Sequence, residues 1–201
     1  MMFLDKYPYV TPLEINSNEP FIVSESLNLQ RRHIKDGSQR FEFSITLMGG
    51  FGEDLMADLM TNWMTYGMDT PFEIDCPQHF STEKAISGST VTVSVDASAG
   101  ETELTLLSVS SFNIPSGRLV SLGEDKKLYA VVSHTAPEYV GSQFVSTLQL
   151  SSGLVATVLA NSELVYRDVK AKVLNEPENA SFKYSSGVLQ QAGLRFVEYL
   201  T

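Results

Sequence analysis

The sequence predicts a mainly β fold in two parts with a single helix, and three observations indicate it. Residues 40–47 alternate polar and apolar side chains, which is the period of a strand buried on one face. From about residue 81 to 166, five or six short apolar runs recur at intervals of about 8 to 15 residues, which is typical of a small barrel or sandwich. One stretch, 53–66, repeats apolar side chains with helical spacing.

The first predicted element is a β-hairpin over about 24–47. Residues 40–47 form its second strand, and the weaker apolar run 22–34 supplies the first. Asp36 and Gly37 lie between the two runs, and both residue types tolerate the positive φ of a tight hairpin turn.

The predicted helix, about 53–66, carries one apolar stripe. Two adjacent i, i+4 ladders form it: Leu55, Leu59 and Trp63, and Met56, Met60 and Met64. Acidic residues occupy the first turns, where the helix dipole favours negative charge, and Gly67 follows as a C-cap. We interpret the stripe as core packing against a sheet; a cofactor pocket or a partner groove is the alternative.

Two further strands complete the first part of the fold. Phe72, Ile74 and Cys76 alternate with polar residues between two prolines, which predicts a short strand with a buried Cys76 thiol. Residues 189–200 form a last apolar strand, which must be paired or covered. Its simplest partner is the sheet formed within residues 24–76.

Because the last strand returns to the first sheet, the middle of the chain is predicted to be an insertion. The first domain then comprises 1–83 plus 168–201, and the inserted β-barrel domain comprises 84–167. A loop tolerates such an insertion when the inserted ends lie close together.

The composition argues against several classes of protein. The net charge of -10 argues against wrapping nucleic acid and against an anionic membrane surface. A single Cys excludes intramolecular disulfides and cysteine-rich zinc modules. Asp5, Lys6 and Pro8 interrupt any signal-peptide apolar region, and no apolar run reaches the ~18 residues of a membrane span. We therefore expect a soluble protein made in the cytoplasm, with no membrane partner.

The motifs that carry chemistry are weak. Residues 49–52, Gly-Gly-Phe-Gly, lie between a predicted strand and the helix but lack the lysine of a phosphate loop, so we interpret them as a tight reversal. Cys76 and His79 supply two of the four ligands that a structural zinc needs. Arg31 and Arg32 form the densest cationic patch, which favours a hairpin or subunit-interface charge over a phosphate site. The sequence thus predicts no catalytic residue, no cofactor and no metal site.

The elements follow one another in a familiar order. A hairpin is followed by the helix, then by Trp63-x3-Gly67-x3-Pro71-Phe72, then by the β insertion and the final strand 194–198. This order resembles the distal tail proteins of bacteriophages with long flexible tails, of the small two-domain type. Four strand segments of the insertion are similar to oligonucleotide/oligosaccharide-binding (OB) insertions of phage tail proteins: 91–95, 117–122, 129–132 and 148–150.

The resemblance implies both a fold and a role. The first domain would be a tail-tube-like β-sandwich or barrel with one helix, and the insertion a small OB-like barrel that projects outward. Six copies would form a ring around the DNA channel, through which DNA passes without specific binding. This homohexamer would be a structural virion protein of the phage tail and no enzyme. It would connect the tail tube protein to the tail hub and to fibre or receptor-binding proteins.

The ring interface would lie in one region of the first domain. We assign it to Arg31, Arg32, Phe41, Phe43 and Ile45. The net negative charge of the chain is compatible with a channel along which DNA slides, because it would repel the negatively charged DNA.

Other functions remain open. The pattern does not separate a distal adaptor from another tail-tube-like tail protein. A two-domain binding module could recognise a host glycan or a protein partner through its barrel, although the insertion holds no Trp for stacking on a sugar. An enzyme with an unrecognised site is the remaining possibility.

Overall fold

A computed structural model confirms that the fold is mainly β. The structure describes these residues: 13–18, 21–25, 31–35, 39–48, 61, 70–76, 90–122, 127–176, 181–185 and 188–199. Contacts divide the chain into two units. Unit 1 comprises Met1–Asn18, Arg40–Cys76 and Ala171–Thr201; unit 2 comprises Glu19–Gln39 and Pro77–Lys170. The finer domain boundaries at 83/84 and 167/168 stay a prediction.

Fifteen strands lie within the described residues. In chain order they are β1 (Glu14–Asn18), β2 (Phe21–Glu25), β3 (Arg31–Lys35), β4 (Arg40–Met48), β5 (Phe72–Asp75), β6 (Val91–Val93), β7 (Glu103–Ser108), β8 (Leu119–Leu122), β9 (Lys127–His134), β10 (Glu138–Val140), β11 (Gln143–Leu150), β12 (Glu163–Val165), β13 (Lys170–Asn175), β14 (Ser181–Ser185) and β15 (Val188–Glu198). Of the predicted helix 53–66, only Thr61 is described, and it is helical and exposed. The six residues of the apolar stripe lie outside the described residues.

The sheet of unit 1 is organised around β15, the C-terminal strand. The strand order is β1-β4-β15-β13-β5, and β14 also pairs with β15. One edge of β15 pairs with β4 from Gln191 to Val197. Its other edge pairs first with β14 and then with β13. The prediction that the terminal strand joins the first sheet is therefore confirmed.

The core of this sheet follows the alternation seen in the sequence. Along β4, Phe41, Phe43, Ile45 and Leu47 are buried, while the residues between them are half-buried. The alternate residues of β13 and β15 are buried in the same way. Since strands place alternate side chains on opposite faces, one face of the sheet is the apolar core of unit 1.

The predicted hairpin over 24–47 is wrong. Strand β3 pairs antiparallel with β2, Ile22 opposite Ile34, and these two strands form a separate sheet. Strand β4 pairs instead with β1 and β15. The buried face of β4 is fully apolar and is matched by the apolar face of its neighbour β15. Strand β3, with the sequence Arg-Arg-His-Ile-Lys, has no comparable apolar face. The Asp36-Gly37 turn lies outside the described residues.

Unit 2 contains a closed barrel. Six antiparallel strands follow one another in the order β6-β7-β11-β9-β8-β12, and β12 pairs back to β6. Side chains from all around it, including Leu104, Leu106 and Leu148, fill the interior. An OB fold has five strands, so this barrel has one strand more. Strand β10 lies outside the closed set and pairs with β11 only, as far as the described residues go.

Candidate functional site

The predicted ring-interface residues fall in two places. Arg31 and Arg32 lie on β3, and nothing further is described of their side chains. Phe41, Phe43 and Ile45 lie on β4 and are 3%, 1% and 3% exposed in the single chain. Their burial is explained by the core of unit 1 alone, because β4 already pairs with a strand on each edge. Their assignment to a ring interface stays a prediction.

A better candidate for strand pairing between copies is β1, at one end of the sheet order. Within the described residues it pairs only with β4. Four of its five residues are exposed, and the sequence is Glu-Ile-Asn-Ser-Asn. Natural edge strands are often short and polar, which limits uncontrolled pairing. Sequence reasoning missed β1 because one apolar residue in five gives no period-2 pattern.

Cys76 is a core thiol, as predicted. It is 3% exposed at the end of β5. Burial raises the pKa of the Cys76 thiol to about 12; a backbone hydrogen bond at Ala171 lowers this pKa, and the charges of Glu198 and Asp75 raise it. Because the thiolate is the reactive form of cysteine, this thiol is not nucleophilic at neutral pH. His79 lies outside the described residues.

A fully buried carboxylate extends the hydrogen bonding between β4 and β15 beyond their last paired residues. Glu198 is 0% exposed, and its Oε2 accepts a hydrogen bond from the Phe41 backbone N–H at 3.1 Å. The Glu198 backbone oxygen accepts a second bond from Arg40 Nε at 2.9 Å. Sequence reasoning missed this group, although a Glu at a core position of an alternating strand is the signal that marks it.

The barrel presents an exposed aromatic hairpin. Tyr139 on β10 and Phe144 on β11 lie opposite each other, with ring centroids 5.1 Å apart. Tyr139 is 65% exposed and the neighbouring Val140 is 59% exposed. Exposed apolar side chains on an edge strand are features of binding surfaces. We name Glu138, Tyr139, Val140 and Phe144 the β10 surface.

An acidic groove lies elsewhere on the barrel. It has a volume of about 470 Å³ and is lined by Val95, Asp96, Ala97, Gly100, Glu101, Thr102, Glu103, Leu104 and Thr105. Asp96 Oδ1 already accepts the Ala160 N–H at 2.7 Å. Among the described residues, no three His, Cys, Asp or Glu side chains come together as metal ligands. The groove therefore offers negative charge without a built metal site.

His134 and Ser146 are as close as the base and the nucleophile of a catalytic pair, but the ring proton lies on the nitrogen that faces the serine. His134 Nε2 lies 2.9 Å from Ser146 Oγ. On the other side of the ring, the backbone N–H of Ile114 donates to Nδ1 at 3.2 Å. Since Nδ1 is the acceptor, the proton of the neutral ring is on Nε2, which donates to Ser146. A general base needs a free lone pair toward the serine, so this pair is structural.

No protein-family model matches this chain, and no curated protein matches it. The likeness to phage distal tail proteins therefore stays a prediction from the residue patterns. In the part of the chain that the structure describes, no helix has the length and apolar character to cross a membrane.

Proposed function

We propose that this chain is a structural virion protein: a distal tail adaptor that forms a hexameric ring between the tail tube and the tip or fibres of a phage tail. The DNA channel passes through the ring, and the chain has no catalytic role. Its partners are other copies of itself, the tail tube protein, the tail hub and the fibre or receptor-binding proteins.

One observation supports this proposal above the others. Strand β15, at the end of the chain, pairs with β4 across nearly 150 residues of sequence that contain the closed barrel. A discontinuous sheet that carries an inserted barrel is the organisation expected of the two-domain adaptor type. An open sheet also offers edge strands, through which subunits can pair into a closed ring.

The alternative is a binding module whose barrel recognises a protein partner. The β10 surface favours it, because Tyr139 and Val140 expose apolar area on the strand β10 itself. Extended peptides add to such edges by backbone hydrogen bonds. The glycan form of this alternative is less favoured, since the barrel has no Trp for stacking.

The oligomeric state of the purified full chain tests the proposal. Native mass spectrometry should show a species of six monomer masses, and negative-stain microscopy should show rings with an open channel. A strict monomer at concentrations on the order of tens of micromolar, without rings, would contradict the adaptor and favour the binding module.

A matched pair of variants locates the interface. Asn16→Lys places a lysine on the exposed edge strand β1 opposite Glu42, so the pairing of β1 with β4 is preserved. Lysine on an edge strand opposes pairing with another chain, and the hexamer is expected to dissociate. Ser133→Lys, at an exposed position on β9, is the control and should leave the hexamer intact. Equal effects of the two variants would argue against pairing through β1.

A further inference from the structure

A segment between β7 and β8 contributes buried side chains to the barrel core and contains no ionisable side chain. We name residues 109–117, between β7 and β8, the cap segment; it holds no Asp, Glu, Lys, Arg or His, and neither does β11. Phe112 and Ile114 of the cap segment are buried in the barrel core. The cap segment contacts His134, the last residue of β9, which is half-buried.

His134 is a titratable side chain in contact with the cap segment. The charged residues of its own strand and of the neighbouring elements are Lys127 at the other end of β9, Arg118 directly after the cap segment, Glu138 on β10 and Glu103 at the far end of β7. The ring of Tyr166 packs near Phe112, with ring centroids 6.2 Å apart. Burial alone accounts for a lowered pKa of His134.

The Nδ1 atom of His134 has two neighbours with opposite requirements. The Ile114 N–H donates to it at 3.2 Å, which needs an unprotonated Nδ1. Asn113 Oδ1 lies 3.3 Å from the same atom, and an oxygen accepts a hydrogen bond there only when Nδ1 carries a proton. The neutral and charged rings therefore select different partners from two consecutive residues of the cap segment.

The other contacts of the ring do not change with this proton. Nε2 carries hydrogen in both states, so its bond to Ser146 Oγ is retained. The ring of Phe112 packs on the imidazole at 4.9 Å between centroids, 35° from parallel. The imidazole thus stays in position while its partner on the cap segment is exchanged.

We propose that His134 is a proton-operated latch on the barrel: when neutral it holds Ile114, and when protonated it releases Ile114 for Asn113 and loosens the cap segment. Ile114 is 1% exposed in the folded chain. When the cap segment loosens, the N–H and the side chain of Ile114 lose this buried position. Acidification then uncovers apolar surface of the cap segment and of the barrel core that it contacts. The latch works in a ring or in a monomer, so it does not depend on the proposed function.

The exchange of the Ile114 amide hydrogen in the full-length chain tests the latch. Between about pH 7.5 and about pH 5, its rate, corrected for intrinsic pH dependence, should rise about tenfold, because a buried donor loses its acceptor. His134→Asn is the matched variant: its amide oxygen can accept the Ile114 N–H and cannot be protonated near these pH values. Its corrected rate should not change with pH. A flat profile in the wild type, or the same rise in the variant, would overturn the proposal.

Asn113→Ala tests the charged state separately. It removes the acceptor of the protonated ring and retains the Ile114 backbone donor. The pKa of His134, followed by the NMR shift of its Cε1 proton, should be lower in Asn113→Ala than in the wild type, since hydrogen bonding to the charged form raises the pKa of a histidine. An unchanged or higher pKa would show that Asn113 Oδ1 does not accept a hydrogen bond from the protonated ring, and the latch would fail.

Discussion

Replacing Glu198 by alanine is expected to destabilise unit 1 by about 3 kcal/mol. The carboxylate is fully buried and accepts the Phe41 N–H, so its removal takes an acceptor from a buried donor, which costs about 1–3 kcal/mol. The deleted side chain is fully buried, so its loss also leaves a space in the core, which adds to the destabilisation. Glu198→Gln keeps an acceptor oxygen and should cost about 1 kcal/mol. Arg40→Ala removes a bond from an exposed side chain and should cost less than about 1 kcal/mol.

Urea unfolding followed by tryptophan fluorescence measures this loss. Trp63 is the only tryptophan of the sequence, so a single fluorophore gives the signal. With a slope of about 2 kcal/mol per M, the midpoint of Glu198→Ala should fall by about 1.5 M. A midpoint within about 0.3 M of the wild type would refute the reasoning. So would an equal loss in Glu198→Gln, because the acceptor would then not be the cause.

Three further predictions concern packing and titration. Phe196→Ala should destabilise unit 1 by about 4 kcal/mol, since the ring is fully buried and packs edge-on against Phe72 with centroids 5.3 Å apart; an unchanged thermal midpoint would contradict this. Gly153→Ala should destabilise the barrel by more than about 1 kcal/mol, because the added Cβ would lie 2.7 Å from the Gly100 carbonyl oxygen; circular-dichroism melting that matches the wild type would disprove it. The folded pKa of Cys76 is about 12 against an ordinary 9.0, so the folded state binds more protons than the unfolded state in that interval. The stabilisation that the protonated thiol provides is therefore complete below pH 9.0 and is lost as the pH rises toward 12. Over this range the wild type should lose its advantage in unfolding free energy over Cys76→Val, which has no thiol. A constant difference between the two would show that the thiol does not titrate there.

The sequence predicted strands better than their partners. The alternation of 40–47 identified β4 and its buried face, and the same reasoning placed β5 and the terminal strand. It failed on pairing, because a period-2 pattern states which face of a strand is buried and not which strand lies beside it. The choice of β15 over β3 as the neighbour of β4 depends on a match between apolar faces more than 140 residues apart.

The sequence also did not predict the polar side chains that are buried in the core. The alternation of the last strand marks Glu198 as a core position, but the hydrogen-bond partners of Glu198 and His134 have no local sequence pattern. These partners, Phe41, Ile114 and Ser146, lie on other elements. From composition alone, glutamate and histidine side chains are expected on the surface. Only the folded chain shows that they satisfy buried backbone donors.

The two units differ in how they can contact other chains. A closed barrel pairs the edges of its own strands, so it cannot add a strand from a neighbour, whereas an open sheet can. Assembly by strand pairing would therefore proceed through the sheet of unit 1, in which β1 lies at one end of the strand order within the described residues. The β10 surface is the exception on the barrel, because β10 lies outside the closed set. Variants of the two surfaces should consequently separate: Asn16→Lys should reduce the oligomer, and Tyr139→Ser should weaken the capture of a protein partner while the oligomer persists. If Tyr139→Ser dissociated the proposed ring and Asn16→Lys did not, the division of roles between sheet and barrel would be reversed.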